Sequence, residues 1–430
     1  MPNYKKKKHN RLFSSDKPNK PKTTSRKKEE DIKVTPAERY RKTTVKQNMK
    51  VVKGKRLEQK RRLKTFAVFA LVAVLVFGIL QLVLPMGVFE KITHSVSVLG
   101  TGSYPVELES TQTLNTVNKG SHYYILANSH LYCFSSSGKM MFSYAHGFEK
   151  PILKTSQTRA LLFEQNSNRA YIFTTTGPKS TVETEKNIIT ANISDSGVYA
   201  LGMQSDKYAS SVSVFSKRGK KIYEWFSAEN TVNNVAVSGN GKKIAVSTFN
   251  AASGKYKSVV SVLNFKSATA EYSQTFENSL VYNLDNSHRS YFAVVCENSV
   301  KFIKWSNFKE KNYNNDYSIS MFRAEKNGYV AVFSRKSDKT DNHIVVFSKY
   351  GKVKYEFDYK GIIGDITLSG SHIYCMGENE IYLLGSDGKT LRKASCSFGS
   401  VRISVASTNA VAVITDNKIE KVKLEQENEK

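Results

Sequence analysis

Residues that could carry out chemistry are present in this chain of 430 residues, but their spacing is irregular. Eight histidines and four cysteines occur, and the cysteines show neither a C-x-x-C pair nor a zinc pattern. The sequence also lacks HExxH, GxSxG and an EF-hand loop. His122 and His372 stand in matching Gly-Ser-His contexts, which indicates a structural repeat. We therefore predict no catalytic, cofactor-binding or metal-binding residues.

The elements that would position any such residues are strands, joined by a recurring glycine turn. VFSKRGKKIYEWF at 214–226 is nearly repeated by VFSKYGKVKYEF at 346–357. A tight hairpin needs a residue with positive φ, which glycine adopts without steric cost. We expect the apolar residue four positions before each glycine to face a common core. The pairs are Phe134 and Gly138, Phe173 and Gly177, Phe215 and Gly219, Phe347 and Gly351, and Leu384 and Gly388.

The spacing of the hairpins predicts the architecture. Gly219 and Gly351 lie 132 residues apart, and weaker copies at 259–273 and 300–313 divide this interval into three units of 44. An eighth copy, at 417–424, lacks the glycine turn. Units of roughly 40 residues with several short strands are typical of a β-propeller. We predict an all-β, eight-bladed propeller, with seven blades as the alternative if the last hairpin is irregular.

The last unit ends before its outer strand. The segment YPVELES at 104–110 is available to supply that strand. Closure of this kind joins the two ends of the exported chain and removes an open sheet edge. A β-sandwich and a β-solenoid are alternatives, but units of this length with four strand-like runs fit neither comfortably.

One uncharged segment, at 65–89, precedes the strands. Its 25 residues are enough to cross a membrane as a helix. A cleaved signal peptide is the alternative, but 64 residues precede the segment and no A-x-A site follows it. Lys60, Arg61, Arg62 and Lys64 lie on its N-terminal side, so the positive-inside rule predicts a cytoplasmic N-terminus and an extracellular propeller. The expected domains are a tail (1–64), a transmembrane helix or signal-anchor (65–89) and the propeller (90–430).

The tail is strongly basic. Residues 1–64 contain 24 Lys/Arg and 6 Asp/Glu, a large part of the net charge of +28. We expect residues 1–34 to be disordered, because they lack large apolar side chains, and a helix to begin at Pro36 after Thr35 as cap. Its charge favours anionic lipid. Nucleic-acid binding is the alternative, although no nucleic-acid-binding fold accompanies the basic runs.

The cysteines, Cys133, Cys296, Cys375 and Cys396, all follow the apolar segment. Disulfides would be permitted outside the cytoplasm. We expect isolated, half-buried thiols, with a bridge between Cys375 and Cys396 as the open alternative.

Known classes of propeller enzyme match this sequence poorly. Eight-bladed quinone-dependent dehydrogenases need a tryptophan motif in nearly every blade, whereas this chain has only Trp225 and Trp305. Ser386–Thr390 is similar to a sialidase Asp-box, but it occurs once and a hairpin turn explains it. We therefore expect a protein that is not an enzyme.

Two stretches resemble a known family. VSVLGTGSYPVEL at 96–108, and the series His146, Phe148, Pro151, Lys154 and Arg159-Ala160-Leu161-Leu162, are similar to patterns of the membrane-anchored bacterial family known as domain of unknown function 5711. Tyr104 and the segment FEQNSN depart from the family pattern in turn chemistry. The resemblance covers about residues 65–430 and implies an exported propeller of Gram-positive bacteria, without catalytic residues to carry over.

These observations lead to one functional hypothesis with two alternatives. We expect a single-pass, membrane-anchored propeller that acts as a protein-interaction scaffold in the cell envelope and binds envelope proteins. The first alternative is a receptor for cell-wall glycan or another anionic ligand, which a contiguous basic patch on one face would favour. The second is a hydrolase, which a cluster of carboxylates in the central channel would favour.

Overall fold

A computed structural model of the chain describes residues 35, 41, 60–79, 88–252, 254–267 and 269–426. The predicted disorder of residues 1–34 lies outside this set, as does the predicted helix in the tail except for Arg41, which is helical. Helix α1 spans Lys60–Ile79, has a mean hydropathy of 2.1 and is long and apolar enough to cross a membrane. Residues 80–87 of the predicted transmembrane segment are not among the described residues.

Residues 106–426 form eight antiparallel sheets in the arrangement of an eight-bladed β-propeller. Each blade follows the chain from its inner strand to its outer strand. After the short strand β1 (Val106–Glu107), the first four blades are as follows. Blade 1 contains β2 (Thr113–Asn118), β3 (His122–Ala127), β4 (His130–Ser135) and β5 (Met140–Ala145); blade 2 contains β6 (Pro151–Thr155), β7 (Arg159–Glu164), β8 (Arg169–Thr174) and β9 (Gly177–Glu183); blade 3 contains β10 (Ile188–Ile193), β11 (Tyr199–Met203), β12 (Ser210–Phe215) and β13 (Lys221–Ser227); blade 4 contains β14 (Thr231–Val237), β15 (Lys243–Ala252), β16 (Lys255–Asn264) and β17 (Ala270–Glu277).

The remaining blades continue the same meander, and the prediction of eight blades is confirmed. Blade 5 contains β18 (Asn283–Asp285), β19 (Tyr291–Val295), β20 (Ser299–Lys304) and β21 (Glu310–Asn314); blade 6 contains β22 (Ser318–Glu325), β23 (Gly328–Arg335), β24 (Asp338–Ser348) and β25 (Val353–Lys360); blade 7 contains β26 (Asp365–Ser369), β27 (His372–Met376), β28 (Glu380–Leu384) and β29 (Thr390–Ser395); blade 8 contains β30 (Arg402–Ser407), β31 (Ala410–Ile414) and β32 (Lys418–Lys423), and β33 (Glu425–Gln426) adds to blade 7.

The glycine turns have the geometry that the sequence predicts. All five predicted glycines have positive φ, with Gly351 at 72° and Gly219 at 83°. Four of the five apolar partners are fully buried, and Phe215 is half-buried. At Gly351 a side chain has no room, because an added Cβ would lie 2.3 Å from the Phe302 ring of the neighbouring blade. This glycine therefore serves both the turn and the packing between blades.

The ring closes as the sequence predicts, although with a shorter strand. Val106 pairs with Ile419 and Glu107 with Lys418, and the Leu108 amide donates to the Asn417 carbonyl at 2.7 Å. Only Val106–Glu107 of the predicted segment 104–110 is strand. Leu108 is buried with side chains of blades 1 and 8, so the closure is held by packing more than by its few ladder hydrogen bonds.

Two elements were not predicted. Helix α2 spans Val88–Ser97; its first two residues belong to the predicted transmembrane segment 65–89, and the rest lies in the part predicted to be propeller. Its β-branched residues have low helix propensity, and its contacts with blades 1 and 2 override that preference. The strand β33 pairs Glu425 with Lys393 of β29 and gives blade 7 a fifth strand.

The four cysteines are free thiols. Cys133, Cys296 and Cys375 are buried, and Cys396 is half-buried. The expectation of half-buried thiols is therefore wrong for three of them. Cys133 and Cys375 lie on strands and Cys296 directly follows one, and all three pack in apolar clusters between blades. The structure contains no bridge between Cys375 and Cys396.

Candidate functional site

The meander gives the propeller two distinct faces. In a four-stranded up-and-down blade, the connections from first to second strand and from third to fourth strand lie at one end, and all other connections lie at the opposite end. Helix α2 contacts the first kind of connection, so we call that end the α2 face. The turn that carries Phe398 lies between blades 7 and 8, so we call the opposite end the Phe398 face.

The two faces carry opposite charge. The α2-face connections contain 13 Lys/Arg and 2 Asp/Glu, whereas the Phe398-face connections contain 4 Lys/Arg and 9 Asp/Glu. The basic residues of the α2 face are Lys119, Lys139, Lys217, Arg218, Lys220, Lys242, Lys266, Arg289, Lys309, Lys326, Lys349, Lys352 and Lys389. Such a distribution attracts anions to the α2 face.

Helix α2 is fixed to its face by polar contacts. His94 lies between two hydroxyls, with Nδ1 3.3 Å from Thr175 Oγ1 and Nε2 3.2 Å from Ser121 Oγ. Lys139 Nζ donates to the Leu99 carbonyl at 2.8 Å, just beyond the C-terminus of the helix. A cation at that end also complements the helix dipole.

Two histidine rings meet beneath α2. The centroids of His94 and His122 are 4.9 Å apart in an edge-on arrangement. Burial lowers the pKa of His94. Burial also lowers the pKa of His122 to about 3, and the nearby charges of His94 and Lys119 act in the same direction. Both rings are therefore neutral at physiological pH, and two adjacent imidazolium groups are avoided.

The central channel contains carboxylates, but they already have partners. Arg323 Nη2 lies 2.8 Å from Asp365 Oδ1, and the Ile403 amide donates to the other oxygen of Asp365 at 3.0 Å. Thr367 Oγ1 donates to Glu325 Oε1 at 2.8 Å. Because burial raises the pKa of Glu325 to about 8, this side chain is mainly protonated at neutral pH.

A turn on the Phe398 face presents an aromatic ring to solvent. The Phe398 side chain is 96% exposed, in a turn fixed by a hydrogen bond from the Ser400 amide to the Ser397 carbonyl at 3.2 Å. Ser397 Oγ also donates to Glu420 Oε2 at 2.6 Å. The adjacent groove is lined by Ile362 and Tyr382 among others. An exposed aromatic ring on an ordered turn resembles the anchors of protein interfaces.

The sequence predicts no catalytic, cofactor-binding or metal-binding residues, and this stays a prediction. Among the described residues, no group of three or more His, Cys, Asp or Glu is placed to hold a metal ion. The two similar histidines, His122 and His372, begin the second strands of blades 1 and 7, as expected of a structural repeat. The signal that was missed is the polar residue at the end of several inner strands, such as Asp285 and Glu325.

Solved structures and one family model are similar to this chain. BamB from Moraxella catarrhalis is 11% identical, with 75% of this chain and 99% of that chain covered and a TM-score of 0.46. The C-terminal WD40 domain of Sif2 is 10% identical, with 74% and 97% covered and a TM-score of 0.51. A search of curated protein sequences finds no significant match. The model of the family of unknown function DUF5711 matches residues 101–424, and the chain therefore belongs to this family.

Proposed function

We propose that the protein is a membrane-anchored interaction scaffold of the bacterial cell envelope, with α1 as the anchor and the propeller outside the cytoplasm. The length and composition of α1 support the anchor. The basic residues Lys60–Lys64 at its N-terminal side support a cytoplasmic N-terminus.

The observation that carries the scaffold role is the Phe398 turn. A side chain that is 96% exposed on a turn tied to blade 8 adds no visible stability to the propeller. Burial of a phenylalanine in a partner contributes about 1.5–3 kcal/mol. The acidic connections around the turn favour a partner with a basic rim and an apolar centre.

Crosslinking in the native membrane tests this role. A photoreactive phenylalanine analogue at position 398 should give one discrete protein adduct, and the same analogue at Tyr350 should not. Tyr350 is a suitable control because it is 49% exposed and lies on the α2 face. The adduct partner should co-purify with wild type and with Tyr350→Ser but not with Phe398→Ser. Equal recovery with both variants would contradict the role of the Phe398 turn.

A second function is favoured by the charge of the α2 face. Its 13 basic and 2 acidic residues would bind an anionic wall polymer such as teichoic acid. Binding of purified polymer to the full-length protein in detergent should weaken steeply as salt is raised. Retention of polymer without capture of any protein partner would favour this function over the scaffold.

We also propose that the protein is not an enzyme. Support comes from the channel, where Arg323 pairs with Asp365 and Glu325 is engaged by Thr367. General acid–base catalysis needs groups that can reach a substrate. Neither carboxylate is free to act in this way.

A further inference from the structure

We propose that the central channel is a binding site for a small oxyanion, held between the side chains of Lys119 and Lys154. The inference is independent of the scaffold role, because it concerns the channel and not the Phe398 face. It rests on a cavity in the channel, on two lysines of its lining that form no salt bridge among the described residues, and on the charge balance of the groups around them.

The cavity lies inside the channel and is built by inner strands from most blades. Its volume is about 170 Å³, and its lining includes Thr116, Lys119, Lys154, Asp285 and Glu325. A water molecule occupies about 30 Å³ in the liquid, so this space fits roughly five or six non-hydrogen atoms. Inorganic phosphate and a three-carbon hydroxycarboxylate have this size.

The unpaired charge in the cavity is positive. Lys154 Nζ reaches across from blade 2 to Asn283 Oδ1 of blade 5 at 3.5 Å, and neither Lys154 nor Lys119 forms a salt bridge within the described part of the chain. Asp285 is the carboxylate that acts on both through space. Its two oxygens already accept from the Ser287 amide at 2.9 Å and from Ser287 Oγ at 3.1 Å. Asp195 and Glu325 also act on Lys119 through space. None of these carboxylates forms a salt bridge with Lys119 or Lys154 among the described residues, so both ammonium groups lack a directly bonded counter-ion.

The remaining charged groups of the lining do not cancel this excess. Arg323 is neutralised by Asp365, and Glu325 is held by Thr367 with its pKa raised to about 8 by burial. Burial lowers the pKa of Lys119 and of Lys154, as expected of cations that lack a close counter-ion. A bound anion would supply that counter-ion.

The entrance to the cavity is also positively charged. Inner strands end at the α2 face, so Lys119 lies at that mouth of the channel. Lys326 of blade 6 passes close to Gly120 of blade 1, since an added Cβ at Gly120 would lie 3.1 Å from Lys326 Cδ. The basic α2 face therefore directs anions towards the two lysines.

Calorimetric titration of the full-length protein in uncharged detergent tests the site. The probes are sodium phosphate and sodium lactate, with sodium chloride at matched ionic strength as the reference. Lys154→Met should raise the Kd of the bound probe at least tenfold, as expected for loss of a charge-assisted hydrogen bond. Lys119→Met should likewise raise the Kd at least tenfold. Lys309→Met removes an exposed α2-face lysine outside the cavity and should leave Kd unchanged.

A second measurement needs no variant. Crystals of the wild-type protein soaked in sodium bromide should show an anomalous peak in the cavity between Lys119 and Lys154. A bromide peak there together with the Kd pattern above supports the site. Bromide bound only at surface turns, no saturable binding of either oxyanion, or equal losses in Lys309→Met and Lys154→Met would overturn it.

Discussion

The buried carboxyl of Glu325 makes the stability of the propeller depend on pH, and Glu325→Gln should remove that dependence. Glu325 is 7% exposed, and burial raises its pKa from 4.5 to about 8. The unfolded chain loses this proton near pH 4.5, whereas the folded protein keeps it until about pH 8. The contribution is therefore fully present below pH 4.5 and is lost as the pH rises through 8.

The size of the effect follows from the two pKa values. A difference of one pKa unit corresponds to about 1.36 kcal/mol, so the wild-type protein should lose about 5 kcal/mol of stability between pH 4.5 and pH 8.5 through this group. Unfolding entropy is about 2.1 cal/mol/K per residue, which gives about 0.7 kcal/mol/K for roughly 320 ordered residues. The expected difference in Tm is about 7 °C.

Thermal unfolding of the full-length protein in detergent measures this difference. Gln keeps the acceptor for Thr367 Oγ1 and cannot ionise. Glu325→Gln should match wild type at pH 4.5 and exceed its Tm by about 7 °C at pH 8.5. Glu277→Gln, on an exposed position of β17, serves as the control and should follow wild type throughout. Equal Tm values for wild type and Glu325→Gln at pH 8.5 would refute the reasoning.

Three further predictions concern turns, closure and α2. Gly351→Ala should lower stability by about 1–3 kcal/mol more than Gly219→Ala in chemical denaturation, because both strain a positive φ but only the first displaces the Phe302 ring; equal losses would contradict this. Leu108→Ala should lower the Tm by about 3–6 °C through a cavity at the ring closure, and an unchanged Tm would exclude a packed closure. Amide hydrogen exchange of α2, corrected for intrinsic rates, should be faster at pH 5 than at pH 7.5, because its docked state favours neutral His94 and protonation weakens docking; pH-independent protection would argue against this.

The architecture could be predicted from the sequence because it depends on local sequence patterns. A glycine with positive φ and an apolar residue four positions earlier define each hairpin, and both depend only on neighbouring residues. The closure was also predictable, since the chain has one hairpin that lacks an outer strand and one spare segment at 104–110. The length of β1 was not predictable, because Leu108 stabilises the closure by packing with residues that are distant in sequence.

Helix α2 could not be predicted from local sequence patterns. Its sequence, VFEKITHSVS, has several β-branched residues and follows directly on an apolar segment, so propensity does not indicate a separate helix. The contacts of His94 with Thr175 and Ser121 come from two different blades. Such contacts exist only after these two blades have packed together.

The channel residues could not be predicted from the sequence for a related reason, whereas the charge of the two faces could. Lys119, Lys154, Asp285 and Glu325 are far apart in sequence, and only the closed ring brings them to one cavity. The charge asymmetry, in contrast, follows from the order of the connections: once the strands of each unit are counted, alternate turns must lie on opposite faces. Sorting the charges of alternate turns in this way is enough to predict a basic face and an acidic face. A basic surface of uniform charge would only favour solubility. Because the basic residues are concentrated on the α2 face, they lie around the mouth of the channel that leads to Lys119.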